Sequence, residues 1–130
     1  MKNRFLFRGK SFFGGNWVVG YYYVNADGVE CVHEKGKSFS PIVIAETISQ
    51  CTGLLAAKSY RGESEQDRLV WEGDRFSEGP YGHNFVVKWS DRCAEWIAEY
   101  ESGITEWLFS ALDGDVEIVG TVHDTPKEEE

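Results

Sequence analysis

No run in this 130-residue chain approaches the ~20 consecutive apolar residues needed to cross a bilayer. The opening Met1-Lys2-Asn3-Arg4-Phe5-Leu6-Phe7-Arg8 meets charge again after three apolar residues, so it makes no secretory h-region. Cysteine is scarce. Cys31, Cys51 and Cys93 are an odd number at wide, unrelated spacings, which argues against a disulfide framework and for a reducing cytoplasm.

The same scarcity bears on metal and nucleophile chemistry. Cys31-Val32-His33 would put two ligand types on one strand face, and His83 and His123 lie elsewhere, but the tight paired spacings of a structural zinc site are missing. No metal is expected, and each thiol reads as a small buried hydrophobe. A nucleophilic Cys51 or Cys93 would need a histidine base and a third orienting group, which nothing in the sequence singles out. There is no Gly-rich phosphate cradle, and Gly9-Lys10 lacks the spacing of a Walker-type lysine.

A basic excess is absent too. The net charge is −9, which withholds the cationic footprint that gives general affinity for a phosphate backbone, so direct nucleic-acid binding is not expected. The charges are unevenly placed. Residues 1–62 carry eight Lys/Arg against four Asp/Glu, and residues 63–130 carry five against eighteen. The two halves can attract within one fold or between copies.

What is present is apolar and aromatic: 42% of the chain is hydrophobic, and Phe, Trp and Tyr make up 15% of all its residues. That is ample for one core, and the length suits a single domain over residues 1–124, followed by a flexible acidic tail, 125–130.

Periodicity points to β structure. Phe5 and Phe7 share one side of an opening strand. Trp17–Val24 is β-branched and aromatic apart from Gly20 and reads as a long strand. Asn25-Ala26-Asp27-Gly28 is a hairpin turn signal, returning through Val29–His33. Pro41–Ile44 reads as a short edge strand, Ala45–Ile48 as one helical turn, and Arg61–Asp67 as an exposed loop. Phe85–Trp89 alternates. Cys93–Tyr100 fits a strand face or a helix face, and the neighbouring hairpin favours the strand. Thr105–Leu112 is predicted as a short helix capped by Thr105 and ended by Gly114, and Glu117–His123 as the last strand.

Leu69-Val70-Trp71-Glu72-Gly73-Asp74-Arg75-Phe76 is the most informative segment. An apolar strand enters a Glu-Gly-Asp corner and an alternating strand leaves, as in the diverging turn of SH3-like barrels. Gly73 is expected in the left-handed conformation, with an acid capping backbone N–H groups.

Several motifs, taken in order, resemble the YopX family of phage and prophage proteins. Phe7-Arg8-Gly9-Lys10 and Gly15-Asn16-Trp17-Val18-Val19-Gly20-Tyr21 are similar to that family's FRGK and GxWVxGY opening. Ile44–Leu54 (IAETISQCTGL) is similar to DPETVGQYTGL, Trp71-Glu72-Gly73-Asp74 to YEGD, and Glu117–Pro126 to VIGNIYENPE. The resemblance spans nearly the whole chain. It implies an SH3-like small barrel elaborated with extra strands and one or two short helices, a phage or prophage source, and no established biochemical activity. Ala45 stands where the family usually has proline, Cys51 where an aromatic is common, and a charged insertion around Arg61–Asp67 separates two motifs that are normally nearer. An aromatic at the Cys51 position would exclude a required thiolate.

Two groups of residues are candidates for binding. Tyr21 and Tyr23 share one face of their strand, and amphipathic aromatics at a surface suit protein docking, although small domains also need such residues in the core. Trp71, Glu72 and Asp74 form the corner. Glu72 and Asp74 could serve acid–base chemistry only if burial drove their pKa values apart, and the turn reading is favoured. The chain is therefore expected to be a non-enzymatic phage or prophage accessory protein. It would bind a protein partner or assemble with itself, without cofactor or membrane. The alternative is an acidic decoy that imitates nucleic acid and occupies a host DNA-binding protein. A small hydrolase using Glu72 or Asp74 ranks below both.

Overall fold

The computed structural model describes residues 5–34, 36–78, 83–113 and 115–124. The chain is mainly β with two short α-helices, as its alternating segments predict, but among the described residues the strands form two sheets, each with two end strands, and no closed barrel, in place of the SH3-like barrel expected. Two compact units divide it, Met1–Gly53 and Leu54–Glu130. Among the described residues no helix is long and apolar enough to cross a membrane.

The first unit holds β1 (Phe7–Lys10), β2 (Trp17–Val24), β3 (Glu30–His33) and most of β4 (Ser49–Leu55), in the order β3-β2-β1-β4. β2 and β3 form the hairpin that Asn25–Gly28 signals, with Tyr21 opposite His33 and Tyr23 opposite Cys31. The Asn25 side chain fixes that turn by accepting from the N–H groups of Asp27 (2.9 Å) and Val29 (3.0 Å). Val18, Val32 and Val43 form a small core, joined by Ile48. Pro41–Ile44 supplies only isolated bridges, Ser11 to Val43 and Cys31 to Ile42, rather than a full strand. Ala45–Thr47 is one turn of 3-10 helix, matching the single helical turn read there.

The second unit contains β5 (Lys58–Ser59), α1 (Glu65–Arg68), β6 (Leu69–Trp71), β7 (Asp74–Ser77), β8 (Asn84–Ser90), β9 (Glu95–Tyr100), β10 (Thr105–Trp107), α2 (Leu108–Ala111) and β11 (Glu117–Thr121). Six of its strands form a sheet in the order β10-β9-β8-β7-β11-β5. Because cross-strand partners share a face, one row of that sheet reads Ile118, Phe76, Phe85, Tyr100. Phe76 and Phe85 stack with ring centroids 4.8 Å apart, and Tyr100 tilts against Phe85 at 5.3 Å. Leu108 and Ala111 of α2, with Val70, Val87, Ala98 and Val116, complete this core. Trp89 and Trp96 extend it as a T-shaped pair, 5.1 Å between centroids.

Besides Pro41–Ile44, two segments differ from their sequence reading. Thr105–Trp107 is strand, not the first turn of a helix, so α2 shrinks to Leu108–Ala111. The cause is the hairpin before it: Gly103, at φ +91°, turns the chain back and lays Thr105 opposite Glu99 and Trp107 opposite Ile97. Arg61–Asp67 is exposed at Glu63–Gln66 as read, but it ends in the helix α1 rather than staying a loop, and Arg61, Gly62 and Asp67 are half-buried. Gly114, the predicted helix end, and the tail 125–130 lie outside the described residues.

Tyr100 ties β9 to β10, its hydroxyl donating to Glu106 Oε2 at 2.6 Å. Burial first, and that hydrogen bond second, raise its phenol well above the ordinary value of 10.0. A raised folded-state value stabilises fully below pH 10 and loses its effect as pH climbs towards the folded value, because the unfolded chain releases the proton first. Urea midpoints measured from pH 8 to pH 11 should therefore fall more steeply for the native chain than for Tyr100→Phe. Identical slopes would contradict this role.

Candidate functional site

The five residues singled out from the sequence fall into two sets, one in each unit. Trp71, Glu72 and Asp74 stand at the corner between β6 and β7, and the corner is a structural joint. Trp71 and Asp74 are buried, Asp74 completely, and Glu72 is half-buried. Gly73 has φ +89°, as expected of the turn. Its N–H donates to Val87 O and its carbonyl accepts from Val122 N–H, both at 2.8 Å, so the corner is stitched to β8 and to the end of β11. Asp74 Oδ2 accepts from the Trp71 N–H at 2.8 Å, the capping role anticipated for an acid here.

Arg61 completes the joint, and the sequence reading missed it. Its Nη1 and Nη2 reach Asp74 Oδ1 and Oδ2 at 3.4 and 3.2 Å, a two-pronged ion pair. Nη2 also donates to Leu69 O (2.8 Å) and Nε to Asp67 O (3.1 Å). Both oxygens of a wholly buried carboxylate are thus engaged by Arg61 and a backbone amide. Asp74 is held as a charge partner, with no face turned to solvent for acid–base work. The charged stretch that looked like a solvated insertion supplies this clamp. An arginine inside a polar run gives no sign in sequence of the carboxylate it reaches thirteen residues on.

Tyr21 and Tyr23 are placed differently. Both are exposed, 53% and 42%, on one side of β2, and neither ring belongs to the valine core of the first unit. Tyr22 points to the opposite face, contacting Phe7 (5.6 Å) and donating to Glu30 Oε1 at 2.7 Å. That bond, more than any other influence, raises the Tyr22 phenol above its ordinary value. Along the Tyr21 face the register continues to Val19 and Trp17, opposite Arg8 and Lys10 of β1. The Arg8 guanidinium lies 4.3 Å from the Trp17 ring centre, and the Lys10 ammonium 5.4 Å. Arg8 is buried beneath this contact and Lys10 is half-buried, so the exposed part of the face is chiefly the aromatic strand.

Cys31 and Cys51 are buried and Cys93 is exposed. Among the described residues no group of three or more His, Cys, Asp or Glu side chains could hold a metal ion. A groove of about 420 Å³ runs over the six-stranded sheet of the second unit, lined in part by Arg75, Val86, Glu99, Glu101 and Val119. Replacing Gly73 would test the joint: an added Cβ meets Val122 Cγ2 at 3.0 Å in a backbone conformation that side chains disfavour. Gly73→Ala should lower unfolding free energy by about 1–3 kcal/mol in urea titration, and an unchanged midpoint would contradict the assignment.

Comparison of the chain with protein-family models, with curated proteins and with solved structures finds no match.

Proposed function

We propose that this chain is a non-enzymatic binding protein that engages another polypeptide through the Tyr21–Tyr23 face, a second copy of itself being the partner its charges favour. The phage or prophage origin within this reading rests on the motif resemblance. The single observation that carries the function is the exposure of two tyrosines on one side of a strand inside a hydrogen-bonded sheet. Large amphipathic rings with few rotatable bonds, set on a rigid strand, lose little entropy on docking and bury much area. Half-buried Lys10 beside Trp17 adds a positive charge to that face, and the acidic excess of residues 63–130 offers the complementary sign in another copy.

The engagement of Asp74 supports a non-catalytic corner. The decoy alternative draws less support, since Asp74, Glu99 and Asp115 are paired with Arg61, Lys88 and Lys58 rather than left as a free acidic band.

Sedimentation velocity over a range of protein concentrations, at low and high salt, tests the reading. The native chain should associate at low salt and less so at high salt. Tyr21→Ser with Tyr23→Ser should remain folded and monomeric. A native chain that is monomeric throughout, or a double variant that associates as well as the native one, would refute the self-association.

A further inference from the structure

We infer that β10 is an open sheet edge that accepts an extended, antiparallel strand of alternating apolar and basic residues from a partner protein. β10 ends the strand order of the six-stranded sheet, so no strand lies on its outer side among the described residues. The direction of its hydrogen-bonding groups follows from the hairpin. Tyr100 N–H donates to Ile104 O at 2.9 Å, which makes that pair hydrogen-bonded. Alternation then makes Thr105–Glu99 and Trp107–Ile97 non-bonded pairs, with Glu106–Ala98 bonded between them. The N–H and C=O of Thr105 and the N–H of Trp107 consequently face away from β9, towards the open edge, while the Trp107 carbonyl, at the N-cap of α2, belongs to the helix.

The side chains along this edge are unusual for one left to water. Ile104, Trp107 and Phe109 are 67%, 65% and 75% exposed. Soluble proteins ordinarily guard such edges with charge, proline or a covering segment. Here a three-residue strand carries one large exposed apolar group, Trp107, and is flanked by two more, which suits strand addition, with main-chain bonds for affinity and alternate side chains for selectivity.

The pleat sets the chemistry of the incoming strand. Thr105 and Trp107 share one face, and Glu106 points to the other. Cross-strand pairing favours an apolar residue opposite Trp107 and a cation opposite Glu106. Glu95 and Glu99 lie on the Thr105 and Trp107 face of the sheet, and Glu99 is paired with Lys88, so Glu106 alone sets the sign. A second copy presenting its own β10 would bring Glu106 against the same acidic edge, which disfavours self-pairing here. In antiparallel addition the residues facing Thr105 and Trp107 are the apolar ones, so the N–H of the one facing Thr105 bonds to the Thr105 carbonyl while those of the basic residues point outward.

This inference is independent of the Tyr21–Tyr23 reading. The probe is a short synthetic peptide of alternating lysine and valine, fluorescently labelled and titrated by anisotropy with the full chain. Thr105→Pro removes one outward N–H and leaves the β9 ladder intact, because that amide takes no part in it. It should weaken binding by about tenfold, as expected for one lost main-chain bond and a disturbed edge. On the native chain, a peptide N-methylated on its valines should fail to bind, whereas one N-methylated on its lysines should bind like the parent. The comparison between the two methylated peptides holds even if the proline variant does not fold. Tyr21→Ser with Tyr23→Ser should bind the parent peptide as the native chain does. No binding of the parent peptide, equal binding of both methylated peptides, or loss of binding only in the tyrosine variant would each overturn the assignment.

Discussion

Arg61 and Asp74 meet at the place where the chain of the second unit changes direction, and much of that unit's local order follows from how they meet. A carboxylate removed completely from water is costly unless its charge and lone pairs are matched. Here the guanidinium takes both oxygens, the Trp71 amide takes a share of one, and the remaining Arg61 donors tie down the Asp67 and Leu69 carbonyls. One side chain thereby joins α1, β6 and β7. Gly73 sits inside the clamp because the corner needs positive φ and because a Cβ would crowd the Val122 methyl at 3.0 Å. With the corner fixed, Phe76 reaches the core row, where it stacks on Phe85.

That corner shows both what could be read from sequence and what could not. Leu69–Phe76 declares strand, turn and strand through apolar alternation broken by Glu-Gly-Asp, and the left-handed glycine and the capping acid follow from local stereochemistry. The hairpin at Asn25–Gly28 and the long strand Trp17–Val24 are legible for the same reason: hairpin register is set by neighbours in sequence. Arg61 was not legible. Its partner lies across a loop and a helical turn, and a polar run containing Arg, Glu and Asp looks the same whether it is solvated or folded onto a buried acid.

The misread helix at Thr105–Leu112 has a similar origin. Thr, Trp, Leu and Phe at those positions satisfy a helical face, and only pairing with β9, imposed by the Gly103 turn, draws the first three residues into the sheet. Tertiary pairing overrode local preference. The consequence reaches function, because a strand at that position exposes an edge and sets Trp107 beside it, whereas a helix would have no free edge to offer. Of the residues picked as candidate binding groups, Tyr21 and Tyr23 are at the surface, while Trp71 and Asp74 are committed to the corner. Aromatic content alone could not separate these fates. Burial is decided by which face of a sheet meets the core, and Tyr22 and Tyr21, adjacent in sequence, stand on opposite sides.

The functional reading depends on rigid scaffolding beneath exposed side chains, and in the second unit that rigidity depends on the clamp. A double-mutant cycle with Arg61→Met and Asp74→Asn, read as unfolding free energies in urea, tests it directly. The account predicts that each single change is strongly destabilising, and that the pair together costs less than the two losses combined, with a coupling of about 1–3 kcal/mol. Additive losses, with no coupling between the two positions, would contradict it.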